Sequence, residues 1–540
     1  MSGFVFGPAP LPKRKIPNST SLTRRHFVGA ATAALTLGAP LPVREAMAAA
    51  GLGGYPFTLG VASGEPVPDG FVIWTRLAPR PTQGGGMANQ AFTVRWDVAL
   101  DPAMRRVVRH GRALARPEAG HAVHVEVGGL APGRPYWYRF RLGGEASQTG
   151  RAVTAPRPGA PIDLMRFAFT SCQHWEQGYF TAYRHMIADR PDLIVHLGDY
   201  IYEVDNWTKN ASVRKHGAKE PKTLLDYRNR HALYRTDPDL QAAHAWCPWL
   251  VSWDDHEVDN DYAGDQSERF DDPAAFLRRR AAAYQAYYEH MPLRPVSRPR
   301  GPQMQLYRQA AFGNLVSFFM LDGRQHRSDQ ACLSDSASRR GGGTLVVDCD
   351  ERSAPGRSMF GEVQEAWLRQ GLAKSATRWN VLAQTTLMAE LKQTLRDGRT
   401  AYWTDGWDGY AHSRSQLMKF LDETRIKNPV VIGGDIHSFW VTDLKTDFSK
   451  SGAKPVATEF VSSSISAAGI PYQRFRRYLP ANPHIRFFES RYRGYVLCDV
   501  TPNHWLTDLR AVNQVRDRTG SVRTLEGFYV ENGRPGALRR

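Results

Sequence analysis

Outside its first 48 residues, this 540-residue sequence has no apolar run reaching the ~18 residues that a membrane span requires, so no transmembrane anchor is expected. Acidic residues are in the minority: 53 Asp and Glu stand against 70 Lys and Arg, for a net charge of +17. Cysteine is scarce, with five residues and so at most two bridges. No segment repeats at a solenoid period, which sets aside repeat architectures. No nucleic-acid recognition module is visible. The positive charge is therefore left to favour anionic substrates or surfaces through long-range attraction. No nucleophile elbow with a paired histidine appears. The three serines Ser462, Ser463 and Ser464 that follow an apolar run read as caps on the backbone.

What is present is a recurring pattern. The stretch 431–440, VIGGDIHSFW, begins as a buried strand and turns abruptly to Asp435 and His437. On an extended segment these alternate positions point the same way. An unpartnered buried Asp or His is expensive, so the two are expected to converge on something positive. The pattern recurs: RFAFTSCQHW ends at Cys172, DLIVHLGDYIYE at Asp199 with Tyr202 three residues on, and PWLVSWDDHEVDNDYAG at Asp254, Asp255 and His256. Apolar runs of this length fit strands buried on both faces of a sheet. Between the first two, Phe180, Tyr183, Met186 and Ile187 lie at helical spacing and predict a crossover helix. Ligands of α/β sheets gather at the carboxyl ends of the strands, so the four ends predict one shared metal site, with two metals.

The first 48 residues read as an export signal: Arg24 and Arg25 precede Phe27, a mildly apolar stretch follows, and AMAAA offers a cut after Ala48. The partner expected for this leader is the twin-arginine export machinery, which delivers folded protein to the periplasm or beyond. The leader carries six of the cations and one acid, so its removal leaves +12. Of the cysteines, Cys332 and Cys349 flank a Ser- and Gly-rich insertion and form the expected disulfide. Cys172, at a strand end, reads as a thiolate ligand.

Hydrophobic residues at 42% and charged residues at 23% are ordinary for a globular protein, and the length predicts two domains. Alternating strands around the turn Ala131–Pro132–Gly133, with Tyr136 and Tyr138 following, predict a small all-β, fibronectin III-like sandwich over 52–155. Alternating strand and helix patterns fill 160–525, with long inserts at 204–230, 293–305 and 327–360 expected at the mouth of the site. Trp253, Trp403, Trp407 and Tyr410 lie near the motifs and suit either a cleft or the core.

In order, FTLGVASGEP, FTSCQ, HLGDYIYE, WDDHEVDND, DGWDGY and GGDIHS resemble the alkaline phosphatase D family of exported metallophosphoesterases. That family also has phospholipase D-type members, and purple acid phosphatases are its distant relatives. The resemblance implies an α/β (or α+β) metallophosphoesterase-like layered-sheet domain. It implies Asp199 as a carboxylate shared by two metals, and Fe(3+) held also by Tyr202, Cys172 and His437. Asp435 stands where the distant relatives have a histidine, and Asp255–His256 where they have Asn–His, with Asp254 and Asn260 close by. Such an oxygen-rich second position suits Ca(2+). Arg324, in LDGRQHR, is the expected phosphate contact, although Gly323 stands where the family has Thr.

The implied activity is hydrolysis of phosphate mono- and diesters by a metal-bridging hydroxide, with His256 protonating the leaving alkoxide. The alternatives are a phospholipase D-type diesterase and, in another class, a non-catalytic metal-stabilised binding or adhesion protein. A monomer is expected. Replacing Arg24 and Arg25 by lysine should leave full-length precursor in the cytoplasm. Unchanged appearance of processed protein outside the cell would refute the signal.

Overall fold

The computed structural model describes residues 54–205, 212–333, 342–450 and 452–540. The leader with Arg24 and Arg25 lies outside them, as do parts of the inserts at 204–230 and 327–360.

The four apolar runs form the strands Met165–Thr170, Leu193–Leu197, Trp249–Ser252 and Pro429–Gly433. The first three lie side by side and parallel within a ten-stranded sheet. The fourth lies in a separate seven-stranded sheet, parallel to Trp379–Ala383 on one side and Pro455–Val461 on the other. Two sheets therefore share the motifs.

Side-chain alternation explains how the sheets meet. Phe167, Val195 and Leu250 of one sheet share a core with Phe318, Val381 and Ile432 of the other. The intervening residues face outward under helices. Ala168, Ile194 and Val251 pack with residues of Thr181–Ala188, Leu224–Arg235 and Pro273–His290. Phe319, Leu382 and Val431 pack with residues of Glu362–Lys374 and Ala411–Glu423. The result is four layers, with helices outside two sheets. Thr181–Ala188 is the expected crossover, and it buries Phe180, Tyr183 and Met186.

The N-terminal strands fall in two sheets. Val61–Val67, Gly70–Arg76 and Ala122–Val127 continue the ten-stranded sheet, with Gly64 opposite Trp249. Phe92–Ala99, Val107–Ala115 and Pro135–Leu142 build a five-stranded sheet with two short strands. Joining the larger sheet covers an edge of the third motif strand that would otherwise stand open. The hydroxyl of Tyr136 accepts from the amide of Ala131 at 2.8 Å, which fixes the turn that the sequence marks there. At the other edge, Val522–Glu531 and Arg534–Arg539 carry the sheet beyond residue 525. Cys332 and Cys349 are disulfide-bonded, while Cys172, Cys247 and Cys498 are free and buried.

The turn after the fourth motif strand packs directly on the turn after the first. A Cβ added at Gly434 would stand 2.7 Å from Cβ of Ser171, well inside contact distance. Gly434→Ala should therefore wedge the two sheets apart where the motifs meet and cost about 1–3 kcal/mol. The check is the urea midpoint; an unshifted midpoint would mean that the turns separate freely.

Candidate metal centre

Three of the motif strands end in turns whose key residues have left-handed backbone: Cys172 (φ 59°), Asp199 (φ 53°), Asp435 (φ 60°) and His437 (φ 51°). Non-glycine residues avoid this region, and its concentration here marks a functional turn cluster. It also corrects the extended reading of 435–437. Residues 435–438 form a bend, so Asp435 and His437 are brought in by chain reversal and not by strand alternation.

Asp199 belongs to three groupings, in each of which one ligand atom per residue lies within 4.8 Å of the others: Cys172 with His437, Asp254 with Asp435, and Asp255 with His256. Tyr202 joins the first. Its hydroxyl donates to Asp199 Oδ2 at 2.8 Å and lies 3.0 Å from Nε2 of His437. His437 Nδ1 stands 2.8 Å from the carbonyl of Ala468, an arrangement that puts the ring proton there and leaves Nε2 its lone pair. Burial first, then Arg493, holds His437 down to about 3, so it is a neutral imidazole. In the second grouping Thr386 donates to Asp435 at 2.9 Å and Thr385 to Asp254 at 3.1 Å. In the third, His256 Nδ1 is 2.7 Å from Glu203, whose other oxygen accepts from the amide of Asn260 at 2.8 Å. Asn260 is thereby anchored beside the partner of His256.

The cluster is overloaded with negative charge. Burial, with the neighbouring carboxylates, pushes Asp199 and Asp435 well above the usual carboxylate range. Burial and Asp199 likewise raise the Cys172 thiol and the Tyr202 phenol. Burial alone would strip the proton from His256, but Glu203, Asp255 and Asp199 outweigh it and hold its pKa well above normal. Three buried carboxylate oxygens of the cluster, Asp199 Oδ1, Asp254 Oδ2 and Asp255 Oδ1, have no hydrogen-bond partner. Such orphaned acceptors, beside a thiol, a phenol and a neutral imidazole, form a donor set that fits cations.

Arg324, the expected phosphate contact, lies within the carboxylate cluster. It is buried against Asp254, against Asp405 at 3.0 Å and against Asp255 at 3.6 Å. Its Nε donates to Asp254 and its Nη1 to Asp405, and it offsets part of the cluster's charge.

Sequence reasoning missed Glu257, Glu203, Asp405 and Thr386. Glu257 accepts the amides of Tyr200 at 2.5 Å, Asp254 at 2.8 Å and Asp199 at 3.1 Å, so it ties the second motif turn to the third. Glu203, Glu257 and Asp405 lie inside motifs already singled out, but an acid that grips backbone amides or an arginine has no spacing of its own. The serines behave as expected, since the hydroxyls of Ser462, Ser463 and Ser464 all donate to backbone carbonyls. Trp253, Trp407 and Tyr410 are core residues, whereas Trp403 is 44% exposed. The insert at 293–305 lines a hollow with Gln325 and His326, away from the motif turns. A larger hollow of about 920 Å³ opens at the opposite ends of the strands, and no motif residue lines it.

The chain is similar to known proteins along most of its length. A family model described as PhoD-like phosphatase matches residues 167–509, which include all four motif turns, and its N-terminal domain model matches residues 44–156. Alkaline phosphatase D of Bacillus subtilis (strain 168) is 44% identical over 537 residues, covering 97% of this chain and 90% of the relative. A solved structure, titled Structure of PhoD, superposes with a TM-score of 0.85 at 45% identity, covering 90% of this chain and 92% of that one. With both family models matched in order and a close relative along nearly its whole length, the chain belongs to the PhoD-like phosphatase family.

Proposed function

We propose that this phosphoric ester hydrolase works through a pair of unlike cations, is exported by the twin-arginine route and acts as a monomer on phosphate mono- and diesters. The observation that carries the reading is the position of Asp199, common to three buried groupings and left with one oxygen unpaired. Cys172, Tyr202, His437 and Asp199 would hold ferric iron, because a buried phenol and thiol ionise only beside a strong Lewis acid. Asp199, Asp254, Asp255, Asn260 and Asp435, all oxygen donors, would hold calcium. Such a pair, when bound, supplies Lewis acidity and a water acidic enough to act as nucleophile near neutral pH.

The chain's own groups do the rest. Glu203 fixes the ring of His256 and stabilises its proton, so His256 is the donor to the departing alkoxide. Arg324 offsets part of the carboxylate charge and keeps Asp254 and Asp255 in place. Thr386 and Thr385 orient Asp435 and Asp254.

Purified processed protein should hydrolyse p-nitrophenyl phosphate and bis(p-nitrophenyl) phosphate and lose both activities to a chelator. Activity untouched by chelation would contradict the reading. His256→Ala should lower turnover roughly 10²–10⁴-fold on an alkyl ester and far less on a p-nitrophenyl ester, whose leaving group needs no proton. Equal losses would leave His256 as a substrate contact only. Glu203 raises the pKa of His256, so its removal lowers that pKa. In Glu203→Gln the alkaline fall in activity on the alkyl ester should move to lower pH. An unmoved limb would separate His256 from that titration.

A further inference from the structure

Beside the centre opens a cleft of about 340 Å³, and its lining is unlike that of the metal groupings. Asp435 forms part of its floor together with Thr386, which donates to Asp435 at 2.9 Å. Its walls are apolar: Leu387, Leu391, Trp403, Ile436, Ile470 and Phe475. Trp403 is the only exposed tryptophan among the described residues, although burying a ring of this size is strongly favoured. The ring is also held in place. Leu345 of the disulfide-bonded insert pairs with Trp403 across an antiparallel bridge, and a Cβ added at Gly343 would lie 2.5 Å from the indole Cε2. The absence of a side chain at Gly343 lets the backbone lie on one side of the indole while the ring keeps its exposure at the cleft.

The charges of the cleft do not favour a second anionic group. Asp261, Asp405 and Asp408 line it against a single cation, Arg474. Asp405 is already held by Arg324, and Asp408 by Arg414 at 2.7 Å. A further phosphate would meet carboxylates there, whereas a hydrocarbon or aryl group would bury surface against the walls.

His256, the proton donor to the leaving group, does not line the cleft. Resting on the phosphoesterase reading above, we infer that the cleft is a subsite for an apolar substituent that stays on phosphorus, and that Trp403 sets specificity for it. The preferred substrate is then a phosphodiester with one hydrocarbon or aryl arm. In this arrangement the bond between phosphorus and the other ester oxygen breaks, water supplies the new P–O bond, and the arm remains on the monoester product.

The test is a series of p-nitrophenyl phosphodiesters with one leaving group and a varied second arm: methyl, butyl, octyl and phenyl. Because the leaving group is constant, kcat/KM reports the arm alone. It should rise by up to about fourfold per methylene that enters the cleft and then level off. The octyl and phenyl arms tell hydrocarbon from aryl preference. Trp403→Ala should lower the octyl-to-methyl ratio roughly tenfold, and Ile470→Ser should lower it in the same direction. A ratio is insensitive to general loss of folded enzyme, so a merely structural effect leaves it unchanged. A series flat in arm length, or a ratio unmoved in both variants, would overturn the subsite while leaving hydrolysis and its chelator sensitivity intact. No hydrolysis of any ester would overturn both readings.

Discussion

Buried negative charge is the constraint on which the rest depends. Four carboxylates, a thiol and a phenol converge where the motif turns meet, and all of them lie largely out of water. Desolvating one carboxylate already costs several kcal/mol. The fold answers with what it has: Arg324 between Asp254 and Asp405, His256 against Glu203, and threonine hydroxyls on Asp254 and Asp435. These answers are incomplete. Asp199 Oδ1 and Asp254 Oδ2 stay unpaired, and the pKa values of Asp199, Asp435, Cys172 and Tyr202 are all driven upward. The protein's own groups leave the site short of positive charge, and its donor set fits cations.

The backbone carries the cost of that convergence. Left-handed conformations at Cys172, Asp199, Asp435 and His437 cost on the order of 1–3 kcal/mol each. They persist because neighbouring turns over-determine them. The amide of Cys172 donates to the carbonyl of Gly198 at 3.1 Å, that of Gln173 to Asp199 at 3.0 Å, and that of Gly434 to Thr385 at 2.7 Å. Glu257 ties the second and third turns through three amides. Two sheets packed through Phe167, Val195 and Ile432 set the distance across which this network works. Core packing, strained turns and ligand geometry are therefore one arrangement, and a change such as Gly434→Ala acts on all three.

The strands could be recognised in the sequence because runs such as LIVHL and PVVIG are apolar without alternation, which happens when both faces are covered. The candidate ligands were recognisable because Cys, Asp, Tyr and His stand directly after those runs. The division of the motifs between two sheets was not recognisable, since parallel strands of either sheet carry the same pattern. Nor was the bend at Asp435 and His437, because Asp and His, though enriched in the left-handed region, adopt it only occasionally. Glu203 and Glu257 were hidden for another reason: their partners are a ring nitrogen and backbone amides far along the chain. Among the aromatic residues near the motifs, composition could not separate Trp403 from the buried Trp253 and Trp407; their burial in the folded chain does so.

The central claim is that Asp199 joins two unlike cations with separate partners. Elemental analysis of the folded, processed protein and of two variants tests it directly. The wild type should contain iron and calcium; Cys172→Ala should lose iron and keep calcium, and Asp435→Asn should lose calcium and keep iron. A protein carrying only zinc, or variants that lose both metals together, would contradict the account.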